Sequence, residues 1–383
     1  MDKPTVQDIF HRFYPAYLDQ YSPSPVQAKV AHNIMNCKTG AYGANVCVCE
    51  DCGFIQIHYN SCRNRCCPMC QAVPKEMWMD ARREDVLDAP YFHLVFTVPD
   101  ILNPVIYSNQ RLLYDALYHA ASSTISELTA DPKHLGAKVG YICILHTWGS
   151  EMNFHPHIHT ILLGGGLASN NQWKDNGENF FLPIRVISKM FRGKYLEELK
   201  RLWEEDKLVF HGTAEKFRNH YTFKELLDSC YGMDWILHCK KTFNGAQTVI
   251  KYLGKYTHRI AVSNHRIVRM DDDTVTFLVK DYRNEGQWKE LTISGVEFVR
   301  RFLMHVPPRR FVRIRHYGLL CSRTKSQKLT LCRNLLGCKK YLSKLRDMEM
   351  PEILEHLYGI KVCVCKACGG HLGKPQMRMP LRC

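Results

Sequence analysis

No stretch of this chain is long and apolar enough to cross a bilayer, and its N-terminus, Met1-Asp-Lys-Pro, has no hydrophobic signal segment. Both absences predict a cytoplasmic protein with no membrane partner. In that compartment eighteen cysteines are expected as metal thiolates rather than disulfides. Repeats and low-complexity tracts are also missing, which excludes solenoid and linker-dominated architectures. Acidic residues vanish from one block: residues 300–346 carry 14 Lys or Arg and no Asp or Glu. With a formal net charge of +15, such a block calls for a polyanion, nucleic acid first, although a solvated basic face has the same composition.

What is present is an ordinary globular composition, 45% hydrophobic and 23% charged over 383 residues, enough for two or three domains. Eight cysteines fall between Cys37 and Cys70. Cys49-x2-Cys52 and Cys67-x2-Cys70 are two knuckles with 14 residues between them, close to the spacing of a four-thiolate Zn²⁺ site, and these four are the expected ligands. Cys37, Cys47, Cys62 and Cys66 are candidates for a second site. Four protein sulfurs leave no position for a reacting water, so such zinc would be structural, folding a module too short to bury its own core. A further pair, Cys365-x2-Cys368 with Cys363, His371 and Cys383 nearby, is half of a zinc ribbon without a matching second knuckle.

The run His155-Pro-His157-Ile-His159 carries more information. From 19 histidines in this length, H-x-H-x-H is expected by chance only about 0.05 times. On a strand, alternation turns all three to one face, and neutral imidazoles there can hold a divalent cation while leaving sites open for substrate oxygens. Tyrosine spacing alone decides nothing, because Y-x3-Y occurs three times: Tyr17/Tyr21, Tyr114/Tyr118 and Tyr252/Tyr256. The first two pairs sit among prolines or at helical packing positions and read as structural. Tyr252 and Tyr256 lie among Lys251, Lys255, His258 and Arg259, cations that can steady a phosphate, and on a helix their hydroxyls share a face. The alternative is a pair of packing tyrosines between helix and sheet.

Periodicity predicts helices over residues 1–36, a cysteine module over 37–75 and a helix from Lys75 to Asp88. It then predicts a strand from Tyr91, a helix over 109–129, strands from Lys138 to Thr147 and over 155–163 closing at Gly164-Gly-Gly166, and a helix from Gly193 to Asp206. A tyrosine helix over 242–257 follows, then strands at 259–270, 274–280 and 288–293, and a helix opened by the box Ser294-x2-Glu297. The fold class is α+β. The expected domains are 1–89, helical and zinc-binding; 90–306, carrying the histidine strand and tyrosine helix; and 307–383, a basic C-terminal region with a partial knuckle.

Five segments in order, Tyr59-Asn-Ser-Cys62-Arg-Asn-Arg-Cys66-Cys67-Pro-Met-Cys70-Gln, His146-Thr-Trp-Gly, His155-Pro-His-Ile-His159, Tyr252-Leu-Gly-Lys-Tyr256-Thr-His-Arg and Phe311-Val-Arg-Ile-Arg-His-Tyr-Gly, resemble the two-tyrosine rolling-circle transposases of the insertion-sequence ninety-one class over roughly residues 30–335. That resemblance implies an N-terminal zinc-binding domain followed by an HUH endonuclease domain, with the histidine motif on the central strand of an antiparallel sheet and the tyrosines on an adjacent helix. It further implies that His157 and His159, with a third ligand from His146, Gln247 or His155, hold Mg²⁺ or Mn²⁺ against a scissile phosphate. Tyr252 and Tyr256 would then cleave and rejoin single-stranded DNA at transposon ends and target through 5′-phosphotyrosine intermediates. Lys251, Lys255, His258, Arg259, Arg313 and Arg315 are the expected DNA contacts. Two readings stay open beside it: a plasmid replication initiator or relaxase of the same chemistry, and a non-catalytic zinc-containing DNA-binding protein. With no G-x4-G-K-[ST] loop, strand separation would come from a host helicase or replication machinery.

Overall fold

The protein is represented by a computed structural model that describes residues 3–176, 182–242, 254, 260–281 and 285–378. Two capped helices open the chain. In α1 (Val6–Gln20) the Thr5 hydroxyl accepts from the Asp8 N–H while the Asp8 carboxylate accepts from the Thr5 N–H, and α2 (Pro25–Met35) repeats the arrangement with Ser24 and Gln27. The cysteine module follows as a hairpin, β1 (Ala44–Val48) and β2 (Ile55–Tyr59), leading to α3 (Ala72–Arg83).

The central part runs β3 (Tyr91–Thr97), α4 (Asn103–Ser108), α5 (Gln110–Ala130), β4 (Lys138–Trp148), β5 (Phe154–Leu167), β6 (Trp173–Asp175), α6 (Ile184–Glu204), α7 (His220–Gly232) and β7 (Leu237–Thr242). A second strand group follows: β8 (Ile267–Met270), β9 (Thr274–Asp281) and β10 (Gln287–Ser294), then α8 (Gly295–Met304). The chain then adds β11 (Ile314–Gly318), α9 (Lys325–Leu336), α10 (Met350–Tyr358) and β12 (Gln376–Arg378).

Six strands form one antiparallel sheet in the order β11-β4-β5-β3-β7, with β6 beside β5. Period-two alternation divides it. Phe92, Leu94, Phe96, Cys143, Leu145, Ile158 and Leu162 pack under α5, α6 and α7 with Tyr114, Leu117, Phe191 and Tyr195. Tyr91, Ile142, Ile144, Ile161 and Leu163 face the other way, against Met79 of α3 and Leu329 and Cys332 of α9. A separate core joins α1 and α2 to the β10-β9-β8 sheet and α8, where Phe10 meets Phe302 edge-on at 5.3 Å.

Several segments differ from their sequence-based expectation. β5 does not close at Gly164 but continues to Leu167, because Gly165 and Gly166 let flanking strands come close: a Cβ at Gly166 would sit 2.4 Å from the Lys138 carbonyl oxygen. α6 begins nine residues early, at Ile184, and α7 and β7 occupy the stretch between Asp206 and residue 242, for which no element is predicted. Before β8 the backbone makes a short 3-10 turn over Asn264–Arg266 rather than an extended strand. Ser294 caps α8 by accepting from the Glu297 N–H, while the Glu297 carboxylate accepts from Arg300 and Arg301. Residues 307–378 are woven into the rest, as β11 pairs with β4 and β12 with β1.

Tyr118 ties the edge strand down. Its fully buried hydroxyl donates to the Arg313 carbonyl and accepts from the Leu145 N–H at 3.0 Å, and the Arg315 guanidinium lies 4.0 Å above its ring. Tyr118→Phe should therefore cost about 1 kcal/mol in urea unfolding, the loss of the hydroxyl's bonds, whereas Tyr118→Ala should cost about 3–5 kcal/mol by emptying the core beneath β11.

Candidate metal and nucleic-acid site

The histidine site is a consequence of strand register. His157 and His159 share a face of β5, and β4 pairs with it so that His146 stands directly opposite His157. All three are at least nine-tenths buried, and one nitrogen from each lies within 4.8 Å of the others. The Nε2 atoms of His157 and His159 are 3.1 Å apart. Two ligands held at about 2.1 Å on adjacent octahedral positions are about 3.0 Å apart, so this spacing suits a shared cation. Trp148 stacks on His146 with centroids 4.4 Å apart and fixes that ring from behind.

Neighbours orient the imidazoles. His157 Nδ1–H donates to the His155 carbonyl at 2.7 Å, which leaves the lone pair on Nε2. His159 Nδ1 meets His93 Nε2 at 2.9 Å, the two rings lying nearly parallel, and donation from His159 puts the lone pair on its Nε2. Burial holds the His157 ring down to about 3 and His93 down to about 4, and places His159 well below the ordinary imidazole range. At neutral pH these rings are neutral lone-pair donors, the state a metal requires.

Of the three candidate third ligands, the structure brings His146 to His157 and His159. His155 turns instead toward the Asp100 carboxylate, 3.3 Å away. Gln247 lies outside the described residues, as do Tyr252, Tyr256, Lys251, Lys255, His258 and Arg259. Gly254 is described: it is buried in helical backbone and packs against Met79 and Lys75 of α3, and Met79 belongs to the core on the sheet face that bears the histidines. Among the described residues the sequence reading missed His93 and Trp148; alternation along β3 and β4 was their only trace.

Arg315 lies on the side of the sheet opposite the histidines. Alternation on β11 puts it toward the helical layer, where it pairs with Asp115 and covers Tyr118, while Arg313 is half-buried near Arg65 and Cys66. Part of the basic block is neutralised: Lys325 pairs with Asp85 and Arg346 with Glu84, acids remote in sequence, while Arg300 and Arg301 pair with Glu297 on their own helix. Exposed cations at Arg309, Arg310 and Arg323 remain on the surface.

The expected quartet Cys49, Cys52, Cys67 and Cys70 is also corrected. Cys67 and Cys70 converge with Cys37 and Cys62, all four sulfurs within 4.8 Å, with Cys70 3.2 Å from Cys37 and 3.5 Å from Cys62. Hydrogen bonds from Cys62 and then Cys67 hold the Cys70 thiol far below its usual range, while the contacts with Cys62 and Cys70 push the Cys67 thiol far above it. The cluster sits where α2 ends: Gln7 donates to the carbonyls of Ile34, Met35 and Cys37 and so aims Cys37 inward. Cys49 and Cys52 stand apart, facing Cys365 and Cys368. Cys47 and Cys66 join neither group; burial pushes both thiols up. The C-x2-C motifs were visible in sequence, but their partners are decided by the course of the hairpin.

The buried histidines make stability pH-dependent. Because the folded values of His93, His157 and His305 lie at about 3 to 4, the unfolded chain binds more protons below about pH 6.5. Stability should be full above about pH 6.5 and fall as pH drops toward 4, by up to about 1.4 kcal/mol per pH unit for each ring. Urea unfolding of metal-free protein at pH 7, 6 and 5 measures this, and a flat profile would contradict the assigned neutral rings.

Residues 140–328 match a family model described as "Putative transposase", and residues 9–98 match one described as "Transposase zinc-binding domain", of the IS91 type. The chain is 40% identical over 369 residues to the "Putative transposase y4qJ" of Sinorhizobium fredii (strain NBRC 101917 / NGR234), covering 95% of this chain and 93% of that one. It is 30% identical over 309 residues to the "Transposase for insertion sequence element IS801" of Pseudomonas savastanoi pv. phaseolicola, covering 79% and 72%. A solved structure of the conjugative relaxase TrwC in complex with oriT DNA is similar at 12% identity with a TM-score of 0.26, over 67% of this chain and 96% of that one, too loose a match to carry an argument. Among the described residues no helix is long and apolar enough to cross a membrane. Matched at both family models and along nearly its whole length to a transposase relative, the chain belongs to the rolling-circle DNA transposases of the insertion-sequence ninety-one class, with their zinc-binding domain at its N-terminus.

Proposed function

We propose that the chain cleaves and rejoins single-stranded DNA by tyrosine attack at the three-histidine site. The convergence of His146, His157 and His159 on one sheet face is the observation that carries the reading. These residues would hold Mg²⁺ or Mn²⁺, and three nitrogen donors favour Mn²⁺ of the two. A cation bound there would neutralise a scissile phosphate and orient it for in-line displacement. Tyr252 or Tyr256 attacks the phosphorus, its phenolic proton leaves, and the bond to the 3′-oxygen breaks. The products are a 5′-phosphotyrosine and a 3′-hydroxyl that can rejoin or be extended. Two tyrosines allow two simultaneous linkages, which strand transfer needs and simple hydrolysis does not.

Gly254, midway between the tyrosines in sequence, packs against Met79 of α3, a member of the core on the histidine face. Lys251, Lys255, His258 and Arg259 are proposed phosphate contacts from the same segment. Single-stranded DNA at the element's ends and at its target is the proposed substrate, with strand separation left to host replication machinery.

Labelled single-stranded DNA bearing the element's own end tests the reading. With Mn²⁺ the wild type should form a covalent protein–DNA adduct. His157→Ala and His146→Ala should lower its rate at least 100-fold, while Tyr252→Phe and Tyr256→Phe should abolish it or move it to the other tyrosine. His93→Gln, which disturbs the orientation of His159, should weaken Mn²⁺ affinity about 10–100-fold with unchanged DNA binding. Tight DNA binding with no adduct under any divalent metal would sink the cleavage mechanism and leave a DNA-binding protein.

A further inference from the structure

The C-terminal pair Cys365 and Cys368, which lacks a second knuckle in the sequence around it, finds one 313 residues away. Its sulfurs meet those of Cys49 and Cys52, with Cys52 3.8 Å from Cys365, Cys49 3.5 Å from Cys368 and all four within 4.8 Å. Four sulfurs bound at about 2.3 Å to a tetrahedral zinc stand about 3.8 Å apart, whereas a disulfide needs about 2.05 Å.

The two halves are built alike. In Cys49-Glu-Asp-Cys52-Gly53 the Gly53 N–H donates to the Cys49 carbonyl at 3.0 Å, and in Cys365-Lys-Ala-Cys368-Gly369 the Gly369 N–H donates to the Cys365 carbonyl at 3.0 Å. Gly53 and Gly369 both take left-handed backbone, φ +70° and +78°, turning the chain away just after the second sulfur. The N–H groups of Ala367 and Gly370 point at the sulfurs of Cys365 and Cys368, each at 3.4 Å, which favours thiolate over thiol.

Backbone pairing brings the halves together, since β12 adds to β1, Cys49 bridges to Leu372, and the Gly373 N–H donates to the Val48 carbonyl at 2.9 Å. Among the described residues, packing contributes little: the buried cluster between the halves is Cys47, Cys49, Cys365 and Leu372, too little apolar surface to order two chain segments by itself.

We propose that Cys49, Cys52, Cys365 and Cys368 form a second structural Zn²⁺ site, a ribbon split between the two ends of the chain, separate from the site of Cys37, Cys62, Cys67 and Cys70. It locks the C-terminal tail onto the N-terminal module and can close only after the intervening residues have been made and folded. The inference stands independently of the cleavage chemistry.

Zinc content of untagged full-length protein, purified anaerobically and measured in a His157→Ala background so that the nitrogen site does not contribute, tests it. Two zinc ions per chain are expected, falling to one both in Cys365→Ser/Cys368→Ser and in a chain ending at residue 349. Hydrogen exchange of residues 44–50 and 371–378 should speed up at least 10-fold in the double variant. Should that variant fail to fold, Co²⁺ titration of the metal-stripped His157→Ala chain with both thiolate sets intact decides: sulfur-to-cobalt charge transfer saturating at two equivalents supports the proposal, and saturation at one overturns it. It is also overturned by one zinc per chain that the double variant retains, by iron in place of the second zinc, or by a Cys49–Cys368 disulfide in peptide mapping.

Discussion

The pairing register of β4 with β5 is the constraint on which the site depends. Setting His146 opposite His157 brings a third imidazole to the pair that the β5 alternation already provides, and a slip of one residue would turn His157 and His159 into the helical core. The same register sends Ile142, Ile144, Ile161 and Leu163 to the face covered by α3 and α9, so the apolar half of that face and its histidine end are set by one choice. Burial then keeps the rings neutral, and the His155 carbonyl and His93 turn their lone pairs inward.

A second theme is closure of the chain on itself. Residues 260–306 share a core with α1 and α2, β11 completes the edge of the central sheet, and β12 completes the hairpin of the cysteine module. Arg65 reaches from the first cysteine cluster to the carbonyls of Pro308 and Phe311. These crossings bind the zinc-binding region to the sheet that carries the histidines. They also explain why a basic stretch without acids of its own is partly neutralised: its partners come from elsewhere, Glu84 and Asp85 from the turn after α3 and Asp115 from α5.

How much was legible in the sequence follows from the range of the signal. Strands β3, β4, β9 and β10 were readable from local alternation, as was the cap at Ser294, three residues from its partner Glu297. β7 and α7 were not, because their apolar residues are too sparse to show a period. The length of β5 was hidden by glycines, which ordinarily end strands but here admit neighbouring backbone.

By itself the sequence determined the donors: a histidine triple on a strand, two nearby cysteine knuckles, a lone C-terminal knuckle and a tyrosine pair among cations. These are local patterns, and local chemistry specifies them. Tertiary structure alone decided the partners. Cys37 and Cys62 rather than Cys49 and Cys52 face Cys67 and Cys70, Cys365 and Cys368 face Cys49 and Cys52, and His146 rather than His155 joins the central pair. Residue spacing cannot state which sulfurs meet when they are hundreds of residues apart, because that depends on how strands pair and in which register, a property of the folded chain as a whole.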